Sequence, residues 1–338
     1  MTLDFETIRS LAHGAEYTEI KDGGVHFSRF TRRERELLTY GVEKSFATAG
    51  VRLEFETDSK SLALSVSAEK ANPKRSFYSF DVYADGKPVG YITNCEGEPN
   101  FPYTDEYTFE DREEAFVLPE GEKRVCVYFP WSAVGAVKAV ELDDGAFVKP
   151  AVEKRKIIAY GDSITQGYDS LRPSHSYAAR LADILGAELV NKGIGGSVFM
   201  PPLADEKSAY APDLVTVAYG TNDWRGSGYD DFSKRCEEFF SRLARLYSDT
   251  PIAAISPIWR ADSETVHTLG EFSRVSEKIE ETAAKYGNVF FLDGLDFLPK
   301  DTTLYRDGYL HPNDRGFEIY AAALAEKLKE KVPRLFAE

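Results

Sequence analysis

The sequence predicts two domains of different class: an antiparallel β-sandwich, then a three-layer α/β/α domain with a doubly wound parallel sheet. The chain has 338 residues, which is more than one average hydrophobic core serves. Between residues 51 and 142, short segments alternate polar and apolar side chains with period two and show little helical pattern. After about residue 154, apolar strands alternate with helical stretches. We therefore assign residues 1–150 to the sandwich and residues 151–338 to the α/β domain.

The first fifty residues give weak signals. A short helix or turn is expected over Thr7–Ala15, and Gly23-Gly24 marks a turn before a short strand. The run Arg32–Glu36 alternates basic and acidic side chains, and its simplest interpretation is a solvated surface.

The sandwich, which we expect to be jelly-roll-like, is predicted from several short strands separated by turn signals. Asp85-Gly86 joins two of them as a hairpin turn. A long loop is expected over residues 96–105, where Phe101 and Tyr103 are candidates for stacking on a sugar ring or for core packing. The predicted strands are centred on residues 51–56, 62–66, 77–83, 89–92, 116–118, 125–129 and 137–142.

The second domain is predicted from continuous apolar strands, which are typical of a parallel sheet buried on both faces. In such a sheet, ligands bind beyond the carboxyl ends of the strands. The predicted strands are Lys156–Tyr160, Glu188–Asn191, Leu214–Tyr219, Ile252–Ser256 and Val289–Leu292. The predicted helices cover residues 175–186, 230–248, 264–286 and 315–331.

Composition narrows the class of partner. The net charge is −15, which argues against nucleic acid or an anionic membrane surface. Three cysteines without metal-type spacing do not form a disulfide framework, so we expect a reducing, cytoplasmic location. We find no signal peptide at the N-terminus and no run of transmembrane length. Whether the chain forms a homo-oligomer is left open.

Four polar blocks follow predicted strands or precede the last helix, so all four should face one cleft. The serine block places the Ser163 hydroxyl on a strand–turn–helix, where it can attack a carbonyl and its own N–H can hold an oxyanion. A glycine-rich turn, an amide side chain and a histidine preceded by an acid come from the other blocks. The blocks are Gly161-Asp162-Ser163, Asn191–Ser197, Gly220-Thr221-Asn222-Asp223 and Asp307–Asp314.

These blocks, in this order over residues 155–331, resemble those of the GDSL or SGNH hydrolases. The resemblance implies Ser163 as the nucleophile and His311 as the general base. It implies an oxyanion hole formed by Ser163, Gly196 and Asn222, with Gly195 as a competitor for Gly196. Asp162 belongs to the family's serine block and is expected to cap the turn. The resemblance implies no cofactor, and we see no metal-ligand cluster in the sequence.

The acid that orients His311 is the least determined member. Asp307 lies four residues before the histidine, whereas the family usually spaces this acid three before it. We assign Asp307, with Asp301 and Asp314 as weaker alternatives. Some branches of the family use a backbone carbonyl in place of the acid, so that alternative also stays open.

The substrate is less determined than the reaction. Without a long apolar segment to form a lipid-binding lid, a short acyl group is favoured. A sandwich before the hydrolase domain resembles the family's carbohydrate acetylesterase branch and implies O-deacetylation of a sugar. The alternatives are a general short-chain esterase or thioesterase, and a catalytically silent carbohydrate-binding protein. Trp259, Trp224 and Arg172 are candidate substrate contacts, although both tryptophans are equally consistent with packing.

Overall fold

The computed structural model describes residues 1–100 and 106–337, and the chain forms two compact units. Phe101 and Tyr103 lie outside the described residues. The units divide at Glu153 and Lys154, three residues beyond the predicted boundary. Two short segments depart from the simple division. Residues 31–42 belong to the second unit, and residues 171–174 belong to the first.

The first unit is a sandwich of two antiparallel sheets with an apolar interior. One sheet has the strand order β1-β4-β9-β6-β7, with β11 also pairing β4, and the other has β2-β3-β10-β5-β8. The strands are β1 Ala12–His13, β2 Tyr17–Lys21, β3 Gly24–Ser28, β4 Arg52–Thr57, β5 Ser61–Lys70, β6 Ser79–Ala84, β7 Lys87–Thr93, β8 Arg112–Val117, β9 Lys123–Tyr128, β10 Ala133–Leu142 and β11 Lys149–Pro150.

Alternation explains why these strands share one core. Leu53 and Phe55 from one sheet and Leu62 and Leu64 from the other are fully buried in the same apolar cluster. Because successive side chains point to opposite faces, alternate residues of these two strands reach this interior. The predicted hairpin turn is also present, since Asp85 and Gly86 have φ values of 49° and 70°.

The first fifty residues are more ordered than their sequence signals indicated. A short helix, α1 (Phe5–Ser10), begins at Asp4, whose carboxylate accepts a hydrogen bond from the Thr7 amide. Strands β2 and β3 then form a hairpin whose turn holds Asp22 and Gly23 at φ values of 52° and 69°. Left-handed backbone of this kind is tolerated by aspartate and glycine.

The second unit contains a five-stranded parallel sheet with the order β13-β12-β14-β15-β16. The strands are β12 Arg155–Gly161, β13 Ala187–Gly193, β14 Leu214–Ala218, β15 Ile252–Ile255 and β16 Val289–Leu292. The helices that follow β12 in the chain are α4 Ser163–Gln166, α5 Tyr177–Leu185, α6 Thr221–Gly226, α7 Tyr229–Leu246, α8 Ser273–Ala283 and α9 Asp314–Lys331. This doubly wound architecture is the one that the sequence predicts.

Strand β12 alternates between two apolar layers. Ile157 and Ala159 join the core that includes residues of α5 and α9. Tyr160 instead meets Phe239 of α7 with ring centroids 5.7 Å apart. The first strand lies between the second and the third, so the chain reverses its direction across the sheet at β12. In open α/β sheets the ligand crevice forms beyond the carboxyl ends of the strands at such a point.

Helix α8 covers Ser273–Ala283 and is therefore shorter than the helix predicted over residues 264–286. Gly270 has φ 115°, which is incompatible with a right-handed helix. A small bridge between His267 and Gly270 replaces the first turns. Among the described residues, no helix is long and apolar enough to cross a bilayer.

The predicted solvated charge run is exposed at Arg32, Arg33 and Glu36 but not at Glu34, which is buried. Helix α2 (Arg32–Leu37) begins with a capping box in which Thr31 and Glu34 exchange hydrogen bonds. The Lys192 ammonium donates to Glu34 Oε2 at 2.6 Å, and both side chains are 0% exposed. Lys192 lies near the end of β13, so this buried ion pair fixes α2 to the strand that leads into the glycine-rich turn.

Glu34→Ala should reduce the free energy of unfolding by about 3–5 kcal/mol, because it removes the carboxylate that pairs with the buried Lys192 ammonium. Glu36→Ala is the matched control on the same helix. Its ion pair with Arg33 is 65% exposed on the Glu36 side and 60% on the Arg33 side, so we expect a loss below about 1 kcal/mol. Urea unfolding monitored by fluorescence checks both. Equal small losses in the two variants would contradict the anchoring role.

Candidate active site

Ser163 sits where β12 ends and helix α4 begins. Asp162 is the N-cap of α4, and its carboxylate accepts a hydrogen bond from the Ile164 amide at 2.9 Å. Burial raises the pKa of Asp162 to about 7. Gly161 permits the close approach of helix α4 to the strand, because a Cβ there would lie 2.0 Å from Thr165 Oγ1. The Ser163 side chain is thus held at the carboxyl edge of the sheet.

His311 meets Ser163 directly. Its Nε2 lies 2.9 Å from Ser163 Oγ, and its Nδ1 lies 2.9 Å from Asp307 Oδ2. The other Asp307 oxygen accepts hydrogen bonds from three consecutive amides, those of Tyr309, Leu310 and His311, at 2.9, 2.7 and 3.0 Å. The chain wraps around the carboxylate, and this turn accommodates the spacing of four residues between acid and histidine.

The alternative acids are engaged elsewhere. Asp314 Oδ2 lies 3.0 Å from His175 Nδ1. Asp301 accepts hydrogen bonds from the amide and hydroxyl of Thr303. Neither acid contacts His311, so both weaker alternatives are corrected. The geometry supports a carboxylate, not a backbone carbonyl, as the partner of Nδ1.

A second carboxylate, which the sequence reasoning missed, also reaches the imidazole. Asp169 Oδ2 lies 3.2 Å from His311 Nδ1, and the Asp169 side chain is 0% exposed. Its place on the loop six residues after Ser163 is the signal in the sequence that could have drawn attention to it. The contact between Asp169 and His311 joins segments that are distant in sequence, so no local sequence pattern predicts it.

The electrostatics of the imidazole follow from these neighbours. Burial by itself would lower the pKa of His311. The charges and hydrogen bonds of Asp169 and Asp307 outweigh burial and raise that pKa to about 9. Burial raises the pKa of Asp307, but its hydrogen bond to His311 prevails, so the net shift is downward.

The glycine-rich turn after β13 presents one uncommitted amide. The Gly195 N–H donates to Gln166 Oε1 at 2.8 Å, whereas the Gly196 N–H meets no acceptor among the described residues. Gly196 has φ 85°, and a Cβ on it would lie 2.5 Å from the Tyr40 hydroxyl oxygen. Of the two glycines, Gly196 is therefore the better placed to donate to an oxyanion.

Asn222 supplies a side-chain donor from the next strand. It lies in α6, which begins after Gly220 at φ 118°. One hydrogen of its amide bonds to the Ser197 carbonyl at 3.0 Å, which ties the third block to the glycine-rich turn. The Ile194 amide in turn donates to the Gly161 carbonyl at 3.0 Å, which ties that turn to the serine block.

Arg260 links two blocks and was not singled out from the sequence. Its guanidinium is 1% exposed and donates to Thr221 Oγ1 at 2.9 Å and to Asp262. Tyr309 donates its hydroxyl to Asp262 Oδ2 at 2.6 Å. The segment that carries Asn222 and the loop that carries His311 are therefore braced by one buried cation.

The three candidate substrate contacts differ in position. Trp224 is fully buried and donates its indole N–H to the Gly270 carbonyl, so it is a core residue and no substrate contact. Arg172 belongs to the first unit, where it donates to Ser79 Oγ and lies over the Tyr91 ring. Trp259 is half-buried and lines a cleft of about 380 Å³.

Asp169, Asp307 and His311 also form the one group among the described residues that could hold a metal ion, with potential ligand atoms within 4.8 Å of one another. Here the imidazole Nδ1 lies at hydrogen-bond distance from both carboxylates, and Nε2 faces Ser163. Each group already has a partner in this network. A general base with a hydroxyl nucleophile is what this arrangement offers chemically.

The comparisons with known proteins agree with this geometry. The model of the GDSL-like lipase/acylhydrolase family matches residues 159–319, which include all the side chains that meet at Ser163. The sequence of residues 159–319, somewhat less than half of the chain, is thus similar to the GDSL-like lipase/acylhydrolase family. The protein is therefore a hydrolase that acts on ester bonds. No curated protein matches the chain in sequence.

Solved structures extend the likeness to both units. A salicylyl-acyltransferase from a tetracycline biosynthetic pathway is 24% identical, with a TM-score of 0.80 over 95% of this chain and 94% of that one. A family two carbohydrate esterase from Cellvibrio japonicus is 17% identical, with a TM-score of 0.66 over 98% and 97%. A family two carbohydrate esterase from Clostridium thermocellum, in complex with cellohexaose, is also 17% identical, with a TM-score of 0.66 over 95% and 98%. These identities establish a shared fold.

Gly196→Ala should lower kcat by about 10²–10³, the usual cost of losing one oxyanion donor. The added Cβ would strain the left-handed backbone and displace either Tyr40 or the amide. Gly226→Ala is the matched control, because a Cβ there meets nothing within 4 Å and its φ is not positive. Steady-state hydrolysis of p-nitrophenyl acetate checks both. Full activity in Gly196→Ala would remove this amide from the oxyanion hole.

Proposed function

We propose that the protein is a serine esterase that forms an acyl-enzyme on Ser163. The observation that carries the proposal is the 2.9 Å contact between Ser163 Oγ and His311 Nε2, with a carboxylate on the opposite ring nitrogen. A free serine hydroxyl is a weak nucleophile and needs such a base. A serine that contacts a histidine, which in turn contacts a carboxylate, is the spatial arrangement that serine hydrolases of unrelated folds share.

The steps follow from these roles. Neutral His311 accepts the Ser163 proton as Oγ attacks the ester carbonyl, and the carbonyl π-electrons move onto oxygen. The N–H groups of Ser163 and Gly196 and the Asn222 amide hold that oxyanion. Collapse of the tetrahedral intermediate expels the alcohol, which takes the proton from the imidazolium. Water, activated by His311, then attacks the acyl-enzyme and releases the acid and the free serine.

The uncommitted donors support this assignment. Among the described residues, the Ser163 and Gly196 amides have no acceptor, although the surrounding backbone is well paired. Backbone N–H groups in folded proteins nearly always have an acceptor, so amides without one in the protein are candidate donors to a ligand oxygen. The second hydrogen of the Asn222 amide can complete the set, because the first is held by Ser197.

For the substrate, we propose short acyl esters, above all O-acetyl groups on a carbohydrate. Structural neighbours named as carbohydrate esterases share the two-unit architecture, and this is the support for a sugar. Trp259 is half-buried and its indole offers an aromatic surface for a sugar ring, although the cleft that it lines includes none of the residues that meet at Ser163. The alternative functions are a general short-chain esterase or thioesterase, and a carbohydrate-binding protein that hydrolyses no ester.

A cytoplasmic location belongs to the same proposal. Among the described residues, no disulfide joins Cys95, Cys126 or Cys236, and Cys126 and Cys236 are buried. Free thiols persist in a reducing compartment. The substrate is a small acylated molecule; nucleic acid and membrane surfaces are not proposed partners, because the chain carries a net charge of −15.

Hydrolysis of p-nitrophenyl esters from acetate to octanoate tests the proposal. We expect acetate to be the best substrate, with kcat/KM falling as the chain lengthens, and Ser163→Ala to lose at least about 10³ of the rate because the nucleophile is gone. Ser248→Ala, an exposed serine far from Ser163 in sequence, should match wild type. Wild-type rates in Ser163→Ala would contradict the serine mechanism.

Further substrates separate the rival functions. Acetylated xylo-oligosaccharides turned over with higher kcat/KM than p-nitrophenyl acetate support carbohydrate deacetylation. Preference for acetyl-coenzyme A supports a thioesterase. Calorimetric binding of oligosaccharides without turnover of any ester supports the silent binding protein. Each assay is repeated in EDTA, where an esterase of this mechanism keeps its rate.

A further inference from the structure

Asp169 occupies a backbone position that is fixed to the nucleophile. After helix α4, the amides of Gly167 and Tyr168 both donate to the Ser163 carbonyl, at 3.1 and 2.9 Å. Asp169 follows with φ 69°, a left-handed conformation that is uncommon for any residue with a side chain. The buried carboxylate therefore points at His311 from a loop whose position is set by Ser163 itself.

We propose that Asp169 is a positioning residue of the active site, whose carboxylate shares the His311 Nδ1 proton with Asp307, so that two acids orient one imidazole. The inference rests on the proposed serine mechanism and deepens it. The contacts are 2.9 Å to Asp307 and 3.2 Å to Asp169, and both fall within the range of N–H···O hydrogen bonds.

The two acids are held from different sides of the ring. Asp307 comes from the same loop as His311 and uses its other oxygen to accept three backbone amides. Asp169 comes from the loop that follows the nucleophile. A rotation of the imidazole about its Cβ–Cγ bond would lose contact with one acid or the other, so the pair restricts the ring more than either acid does alone.

The charges around the ring have a further consequence. The titratable groups that face His311 are Asp169, Asp307 and, through the field of its buried carboxyl, Asp162. Tyr168 flanks the ring with centroids 5.9 Å apart, and Ser163 closes the Nε2 side. Carboxylates this close to one another repel unless a cation lies between them. The imidazolium that forms during catalysis supplies that cation, so the second acid stabilises the transition state as well as the resting proton.

Two acids on one base also provide redundancy. Loss of Asp307 leaves Asp169 beside Nδ1, and the reverse holds. Because the remaining acid still contacts Nδ1 after either single loss, the cost of removing both acids should exceed the sum of the two single costs in free energy. A residue that merely packs the loop would show neither this coupling nor an effect on the proton affinity of His311.

The test compares Asp169→Asn, Asp307→Asn and the double variant in kcat/KM for p-nitrophenyl acetate from pH 6 to pH 11. Asparagine accepts left-handed backbone readily, so Asp169→Asn keeps the fold while removing the charge. Asp22→Asn is the matched control, since Asp22 has φ 52° on an exposed hairpin turn of the first unit. The wild-type ascending limb is expected near pH 9, where His311 becomes neutral.

We expect Asp169→Asn to move the ascending limb down by about one pH unit or more, the size typical for loss of a charge at this distance. The double variant should lose more activity than the product of the two single losses. Asp22→Asn should leave the profile unchanged. An unmoved limb in Asp169→Asn, or a double variant equal to Asp307→Asn, would overturn the proposal.

A second readout separates this inference from the proposed function. NMR titration of the His311 ring, with ¹⁵N-labelled histidine, reports its pKa without turnover. A downward shift in Asp169→Asn supports the shared proton even where an ester assay fails. Ser163→Ala with full esterase activity would overturn the serine mechanism, whereas an inactive Ser163→Ala with an unshifted His311 in Asp169→Asn would overturn the second acid alone.

Discussion

One hydrogen bond joins residues 148 positions apart, and the active site depends on it. His311 Nε2 and Ser163 Oγ lie 2.9 Å from each other, although Ser163 begins the helix after the first strand of the sheet and His311 comes from the loop before the last helix. Such a contact tolerates errors of a few tenths of an ångström. The parallel sheet provides this accuracy, because the carboxyl ends of its strands meet at one edge and Arg260 braces the loops above it.

Close packing beneath the site enforces the same accuracy. A Cβ on Gly161 would lie 2.0 Å from Thr165, and one on Gly193 would lie 2.4 Å from the Gln166 amide. Helix α4 therefore rests directly on the backbone of two neighbouring strands. The Asn191 side chain donates to the Thr165 carbonyl at 2.7 Å and accepts from the Gly193 amide at 2.9 Å, which locks the two loops together. The nucleophile has little room to move, because the two glycines beneath helix α4 have no side chains to rearrange.

The sequence was most informative where a pattern is local. Buried parallel strands are continuous apolar runs, so all five were predicted to within a few residues, and the polar blocks after them named the side chains that meet at Ser163. Contacts between side chains that are distant in sequence produce no local pattern of this kind. Glu34 resembled a solvated residue because its neighbours alternate in charge, yet its partner Lys192 lies far along the chain. Asp169 was missed for the same reason, since its partner His311 is also distant in sequence. The late start of helix α8 was missed because it depends on the positive φ of Gly270, which the amino-acid composition does not show.

The central claim is a covalent acyl group on Ser163. Rapid quenching of the enzyme with p-nitrophenyl acetate, followed by mass spectrometry of the intact chain and of its peptides, tests it most directly. We expect one acetyl group per chain on the peptide that contains Ser163, and none in Ser163→Ala. Turnover of the ester with no acetylated peptide, or with the acetyl group on another residue, would contradict it.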